Sequence, residues 1–171
     1  MTSQWQYSVL FVCLGNICRS PLAEGLFRDA VRKRGWDNRF VIDSAGIGAW
    51  HQGSPPDPRS IAVAARYGID ISDQRARKIR PDDFERFDLV MAMDRSNVDD
   101  LRRVAEPEAR GRIHLFNQYA LGPVRDVPDP YYGGNDGFES VYRMLREASD
   151  GLAIKLGERM SAPSGQASST T

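Results

Sequence analysis

Long apolar runs are missing from this chain. No stretch approaches the length of a membrane span, so no spanning segment is expected. The amino-terminal MTSQWQYS has no basic region followed by an apolar core, so no secretory leader is expected either. Cysteine occurs 2 times and histidine 2 times in 171 residues. Cys13 and Cys18 share one short stretch, which leaves no disulfide framework and points to the cytoplasm. His51 and His114 are far apart, so a zinc site is poorly served, and neither metal nor cofactor is expected. Net charge is missing too, since 23 basic residues balance 23 acidic ones. Nothing here recruits nucleic acid or an anionic membrane. Neither G-x-G-x-x-G nor G-K-[ST] occurs, which argues against a nucleotide site.

What is present fits a single globular domain, with 41% apolar and 27% charged residues. Residues 1–7 read as a loosely held lead, 8–160 as the domain, and 161–171 as a polar, disordered tail. Apolar, β-branched runs predict strands over about 8–12, 40–45, 87–93 and 112–116. Between them lie helical patterns: 21–34, one opened by Asp57-Pro58 with Ile61, Ala64 and Ala65 facing inward, and one opened by Asp94. A last helix carries Phe138, Val141, Tyr142, Leu145, Ala148, Leu152 and Leu156 on one stripe. Residues 117–137 read as one long irregular loop, which a compact domain rarely keeps without a functional reason. Alternating strands and helices predict an α/β fold, a single open four-stranded parallel sheet with helices on both faces.

The stretch VLFVCLGNICRSP, residues 9–21, organises the rest. It reads as strand, short loop and helix, with Ser20 as N-cap and Pro21 in the first turn. A loop of this kind turns backbone N–H groups toward one point at the positive end of a helix, which suits phosphate. Cys13 stands at its start and Arg19 at its end, with Leu14, Gly15, Asn16, Ile17 and Cys18 between. Inward N–H groups, a helix N-terminus and a fixed guanidinium all favour the thiolate form of a cysteine, the form that attacks. Arg19 can hold two phosphate oxygens with its planar fork. The Ser20 hydroxyl is placed to donate to the Cys13 sulfur.

The string C-L-G-N-I-C-R-S-P closely resembles the active-site loop of low-molecular-weight protein tyrosine phosphatases. The resemblance covers residues 8–157 and is strongest at 13–21, 43–46, 93–97 and 129–132. It implies sheet order 2-1-3-4 and hydrolysis of phosphotyrosine through a cysteinyl-phosphate intermediate, with tyrosine-phosphorylated proteins as substrates. D-P-Y-Y matches the family's acid loop, which implies Asp129 as general acid and base. Asp126 and Asp136, on the same stretch, are the other candidates. Trp50 on one side and Tyr131 and Tyr132 on the other are expected to wall a slot for an aromatic ring, while His51 is read as a surface residue.

Supporting roles follow from the same resemblance. Ser44, at the D-S-A-G strand end, either braces the phosphate loop through Asn16 or simply begins a turn. Asp94 and Asn97, in M-D-R-S-N, either hold the loop or cap a helix. Arg77 belongs to a basic cluster with Arg75, Lys78 and Arg80 whose main reading is a solvated face, and the resemblance places Arg77 near the active site. Gln74 stands where family members often carry His. Cys18 could close a reversible disulfide on Cys13. The chain is expected to be mostly monomeric, with weak self-association through the active-site face.

Rival readings stay open. Arsenate reductases share the C-x5-R loop but need further cysteines, and none follows Cys18. Protein-arginine phosphatases tend to carry Thr at the position of Ile17. A non-catalytic anion- or phosphotyrosine-binding module should have lost Cys13 or Asp129.

Overall fold

The computed structural model describes residues 7–161. In chain order it contains β1 (Tyr7–Cys13), α1 (Arg19–Arg32), β2 (Phe40–Gly46), α2 (Pro58–Arg66), α3 (Asp83–Arg86), β3 (Leu89–Ala92), α4 (Arg95–Val104), β4 (Ile113–Leu115), α5 (Phe116–Leu121) and α6 (Asn135–Ser161). The strands form one parallel sheet in the order β2-β1-β3-β4. That is the α/β architecture and strand order expected.

β1 is central, and its unbroken apolar run has a reason. Val9, Phe11 and Cys13 face a core shared with α1, α2 and α6, while Leu10 and Val12 face a second core shared with α3 and α4. Helices therefore cover both faces. In the first core the Phe11 ring sits 5.7 Å from Phe27 and 5.1 Å from Phe116, centroid to centroid. Each fully buried phenyl side chain contributes about 1.5–3 kcal/mol.

Several boundaries moved. Tyr7 joins the sheet opposite Phe40, so the lead ends one residue sooner; residues 1–6 and 162–171 lie outside the described residues. Helix α1 starts at Arg19, ahead of Pro21, and Ser20 is not its N-cap. The cap position is Cys18, with no side-chain bond, because the Ser20 hydroxyl is engaged in the loop. Asp57 caps α2 as expected, accepting from the Arg59 N–H, but Ala65 is exposed and Ser60, Val63 and Ala64 face inward. The long stretch after β4 is not all loop. Phe116 drops into the core as the strand ends, and that anchor starts α5 at once, leaving 122–134 irregular.

Candidate active site

Cys13 is the last residue of β1 and Arg19 the first of α1, at the carboxyl edge of the sheet where open α/β folds bind ligands. The turn between them is shaped from outside. The carbonyls of Cys13 and Leu14 accept from the N–H groups of Ile47 and Gly48. The carbonyl of Ile17 accepts from the Asp57 N–H at 2.7 Å, and that of Cys18 from the Ser60 hydroxyl at 3.2 Å. With those carbonyls held outward, the N–H groups of residues 14–18 donate to nothing among the described residues. These unused donors lie between Cys13 and the start of α1, the end of a helix that favours an anion.

Asn16 makes the turn possible. Its φ of 58° is the one positive value for a non-glycine among the described residues, and Asn tolerates that region better than most. The tip of β2 is Gly46, where a Cβ would press on the loop backbone, 3.0 Å from Gly15 C and 3.1 Å from Asn16 N.

The Asn16 side chain orders the hydroxyls around the nucleophile. Its Oδ1 accepts from the Arg77 N–H, so its Nδ2 donates both ways, to Ser20 Oγ at 2.8 Å and Ser44 Oγ at 3.0 Å. The single Ser20 hydrogen is then free for Cys13 Sγ at 3.0 Å, with the Ala45 carbonyl a longer alternative at 3.4 Å. Ser44 passes its own hydrogen to Glu24 Oε1 at 2.8 Å. Glu24 is a residue the sequence reading missed. It sits inside α1 among apolar neighbours, with no local pattern to mark it. Burial raises its pKa, against the pull of Arg28 and the Ser44 bond.

Arg19 is buried and committed in part. Its Nη1 donates to Asp94 Oδ2 at 2.5 Å and to the Val127 carbonyl at 3.0 Å. Its Nε is buried with no partner and its Nη2 lies 3.7 Å from Asp129 Oδ2, so both remain for an incoming anion. Burial works against its charge, but the Cys13 sulfur and the Asp94 and Asp129 carboxylates outweigh that and raise its pKa. Asp94 also caps α4 by accepting from the Asn97 N–H at 2.7 Å, so both readings of Asp94 describe it. Asn97 joins through that N–H only; its buried Oδ1 has no partner among the described residues.

The loop carrying Asp129 is pinned at its root. Val127, fully buried, donates its N–H to the Met93 carbonyl. Asp126 is held by the Arg95 side chain and N–H, which lower its pKa, and so is turned away from acid duty. Asp136 lies in the first turn of α6. Asp129 alone of the three lines the cleft, with Oδ1 accepting from the Tyr131 N–H at 3.0 Å.

That cleft, about 380 Å³, is lined by Cys13, Leu14, Gly15, Ile17, Cys18, Arg19, Trp50, His51, Asp129, Tyr131 and Tyr132. Trp50 lies against Gly48 and is 69% exposed, and Tyr132 is 95% exposed, so both stand at the rim rather than in the wall. Tyr131 is the better held: Arg59 lies over its ring and is itself clasped by the Asp57 carboxylate. His51, read as a surface residue, belongs to the lining, where a loop that folds back over Gly15 puts it. Of the basic cluster, Arg75, Lys78 and Arg80 are exposed, whereas Arg77 is bound by Asp43 and fully buried Asp83. Gln74 donates to the Pro21 carbonyl at 2.9 Å, at the back of the loop. Burial, with help from Asp57 and Cys13, pushes the Cys18 thiol up to about 12.

The model of the low molecular weight phosphotyrosine protein phosphatase family matches residues 8–162. The chain belongs to that family. This phosphatase is 50% identical to the low molecular weight phosphotyrosine protein phosphatase of Schizosaccharomyces pombe over 143 residues, 82% of this chain and 91% of that protein. It is 42% identical to the low molecular weight protein-tyrosine-phosphatase YfkJ of Bacillus subtilis over 150 residues, 87% of this chain and 95% of that protein. A crystal structure of protein tyrosine phosphatase from Entamoeba histolytica, with Hepes in the active site, superposes with a TM-score of 0.85 at 35% identity, covering 91% of this chain and 99% of that one. Among the described residues no helix is long and apolar enough to cross a membrane.

Proposed function

We propose that this phosphatase hydrolyses phosphotyrosine in proteins, and small aryl phosphates, in two steps carried by Cys13, Arg19 and Asp129. The observation that supports it most is the loop itself, with four of its carbonyls bonded to neighbouring segments and the N–H groups of residues 14–18 left without acceptors among the described residues. In the first step Cys13 Sγ attacks phosphorus, the P–O bond breaks, and Asp129 gives its proton to the departing phenolate. In the second, the Asp129 carboxylate takes a proton from water, the water oxygen attacks phosphorus, and the S–P bond breaks. Arg19 Nε and Nη2 and the loop N–H groups meet the phosphoryl oxygens, a preorganised term that is often the largest in such reactions. Ser20 donates to the sulfur as it leaves, and Asn16, Ser44, Arg77 and Asp94 hold Ser20, Arg19 and the loop in place.

The aromatic rim of Trp50, Tyr131 and Tyr132 suits a phenyl ring and leaves a phosphate on a short serine stem out of reach of the loop. The enzyme acts as a monomer in the cytoplasm, with weak self-association through that exposed rim, and needs neither metal nor cofactor. Cys18, a neutral buried thiol, serves as the resolving partner when peroxide oxidises Cys13.

The test is phosphate release, without added metal, from matched peptides bearing phosphotyrosine, phosphoserine or phosphoarginine. Release from phosphotyrosine alone, abolished in Cys13→Ser, is expected. Preference for phosphoarginine would keep the loop chemistry and overturn the substrate. Phosphate binding without release from any peptide would point to a binding module.

A further inference from the structure

A second groove, about 620 Å³, runs along the open edge of the sheet at β4. β4 pairs with β3 on one side only among the described residues. A helix from each face flanks this edge, α4 from one core and α6 from the other. The walls are mostly basic. Arg102 comes from α4 and Lys155 from α6, with Arg159 one turn beyond.

These cations gather around an aromatic centre rather than around acids. Lys155 Nζ donates to the Tyr119 carbonyl at 2.8 Å and lies 4.0 Å from the Tyr119 ring centroid. Arg159 donates to the Tyr119 hydroxyl at 2.7 Å, and the half-buried His114 ring lies 4.4 Å from the Tyr119 ring. Burial lowers the His114 pKa first, and the nearby charges of Lys155, Arg159 and Arg102 lower it further. Arg102, Lys155 and Arg159 form no ion pair among the described residues; Asp100 is paired with Arg103 and Asp150 with Arg146, while Glu158 is exposed beside Arg159 on α6. Asp99 is the lone carboxylate in the lining.

One lining residue connects the groove to the loop that carries Asp129. The lining includes Arg95 and Val124. Arg95 follows Asp94, which binds Arg19, and grips Asp126 at the root of the loop that carries Asp129.

We propose that the β4 groove is a docking site for an acidic, extended segment of the phosphoprotein substrate, a proposal that rests on the phosphotyrosine reading above. Cations supplied from both sides of an edge strand, Arg102 from α4 and Lys155 and Arg159 from α6, match carboxylates on a peptide. Like charges along an edge also discourage strand-to-strand aggregation, and that simpler role is the alternative the experiment must separate.

The experiment compares phosphotyrosine peptides that differ only in a run of four Glu or four Gln, placed on either side of the phosphotyrosine at a distance of several residues. The native chain is expected to show a KM about 3- to 10-fold lower for a Glu peptide on one side, from a few exposed ion pairs, with kcat unchanged. Salt at 0.3 M and Arg102→Glu with Arg159→Glu should each erase the difference, with p-nitrophenyl phosphate turnover unaltered. Arg102→Gln with Lys155→Gln gives the same reading if the double Glu variant misfolds. Equal KM values in the native chain would overturn docking and leave the cations as guards of the edge. A preference that survives both variants would place recognition elsewhere. Fluorescence anisotropy of the unphosphorylated Glu-run peptide reads the groove without catalysis, so a chain that cleaves no phosphotyrosine but binds this peptide fails the activity and keeps the groove.

Discussion

The backbone N–H of Arg77 donates to Asn16 Oδ1 at 3.0 Å, and that bond decides which way the Asn16 amide faces. Both amide hydrogens then point at serines, and the Ser20 hydrogen is left for the sulfur. Asn16→Asp should reverse this polarity, since a carboxylate has no hydrogen to give and would take the Ser20 hydrogen for itself. Turnover of p-nitrophenyl phosphate should fall about 10- to 100-fold, the worth of one hydrogen bond to a charged group. Native turnover in Asn16→Asp would remove Asn16 from the chemistry.

Asp129 and Asp126 should separate cleanly on leaving-group dependence. Asp129→Ala is expected to cost about 10²–10⁴-fold on phenyl phosphate, a poor leaving group, and much less on p-nitrophenyl phosphate. Asp126→Ala should act on both substrates alike, because it only frees Arg95 and the loop root. Equal losses on the two substrates in Asp129→Ala would count against an acid role.

Glu24 should leave a mark on stability. Its carboxyl has a raised pKa in the folded chain because burial disfavours the charge. The unfolded chain therefore releases this proton first. Stability contributed by protonated Glu24 is full below about pH 4.3, the unfolded value, and is lost as pH rises through the folded value. Glu24→Gln removes that titration. The melting temperature of the variant minus that of the native chain should grow more positive from pH 4 to pH 8. A flat difference would mean Glu24 does not titrate abnormally.

Peroxide should inactivate the enzyme reversibly. Peroxide oxidises the Cys13 sulfur to a sulfenic acid with loss of water, and the Cys18 thiol condenses with it, releasing a second water and forming the disulfide. A dithiol then returns both thiols. In Cys18→Ser, recovery should drop sharply as Cys13 proceeds to irreversible oxidation states; unchanged recovery would remove the protective role.

Gly46→Ala and Gly48→Ala make an informative pair. At Gly46 the new methyl meets backbone atoms of residues 14–16 at 3.0–3.1 Å, so the phosphate loop itself must shift by a few tenths of an ångström. Activity should collapse, with about 1–3 kcal/mol of stability lost to overpacking. At Gly48 the methyl meets only the exposed Trp50 ring, which can swing away. There stability should hold while KM for aryl substrates rises.

Much of this was written in local pattern. Apolar runs buried on both faces marked the strands, and Asp57-Pro58 marked α2. Cys13 and Arg19 could be named because the loop motif is contiguous, and Asp129 because D-P-Y-Y resembles the family's acid loop. What local pattern missed was decided by distant contacts. Ser20 looked like a cap because Ser before Pro often is one, but its hydroxyl is claimed by Cys13 and Asn16. The start of α5 was hidden because Phe116 is held by packing on Phe11, far away in the chain. His51 and Glu24 gave no signal, since what puts one in the cleft lining and the other behind the loop is tertiary placement.

The clasp around the phosphate loop draws on residues as far along as Val127, which receives Arg19 across 108 positions of chain. A chain emerging from the ribosome would therefore carry its nucleophile long before it could use it. Until residues 126–131 arrive, Arg19 lacks the Val127 carbonyl and Asp129 is absent from the cleft. The finished fold, not the signature loop alone, therefore assembles the whole site.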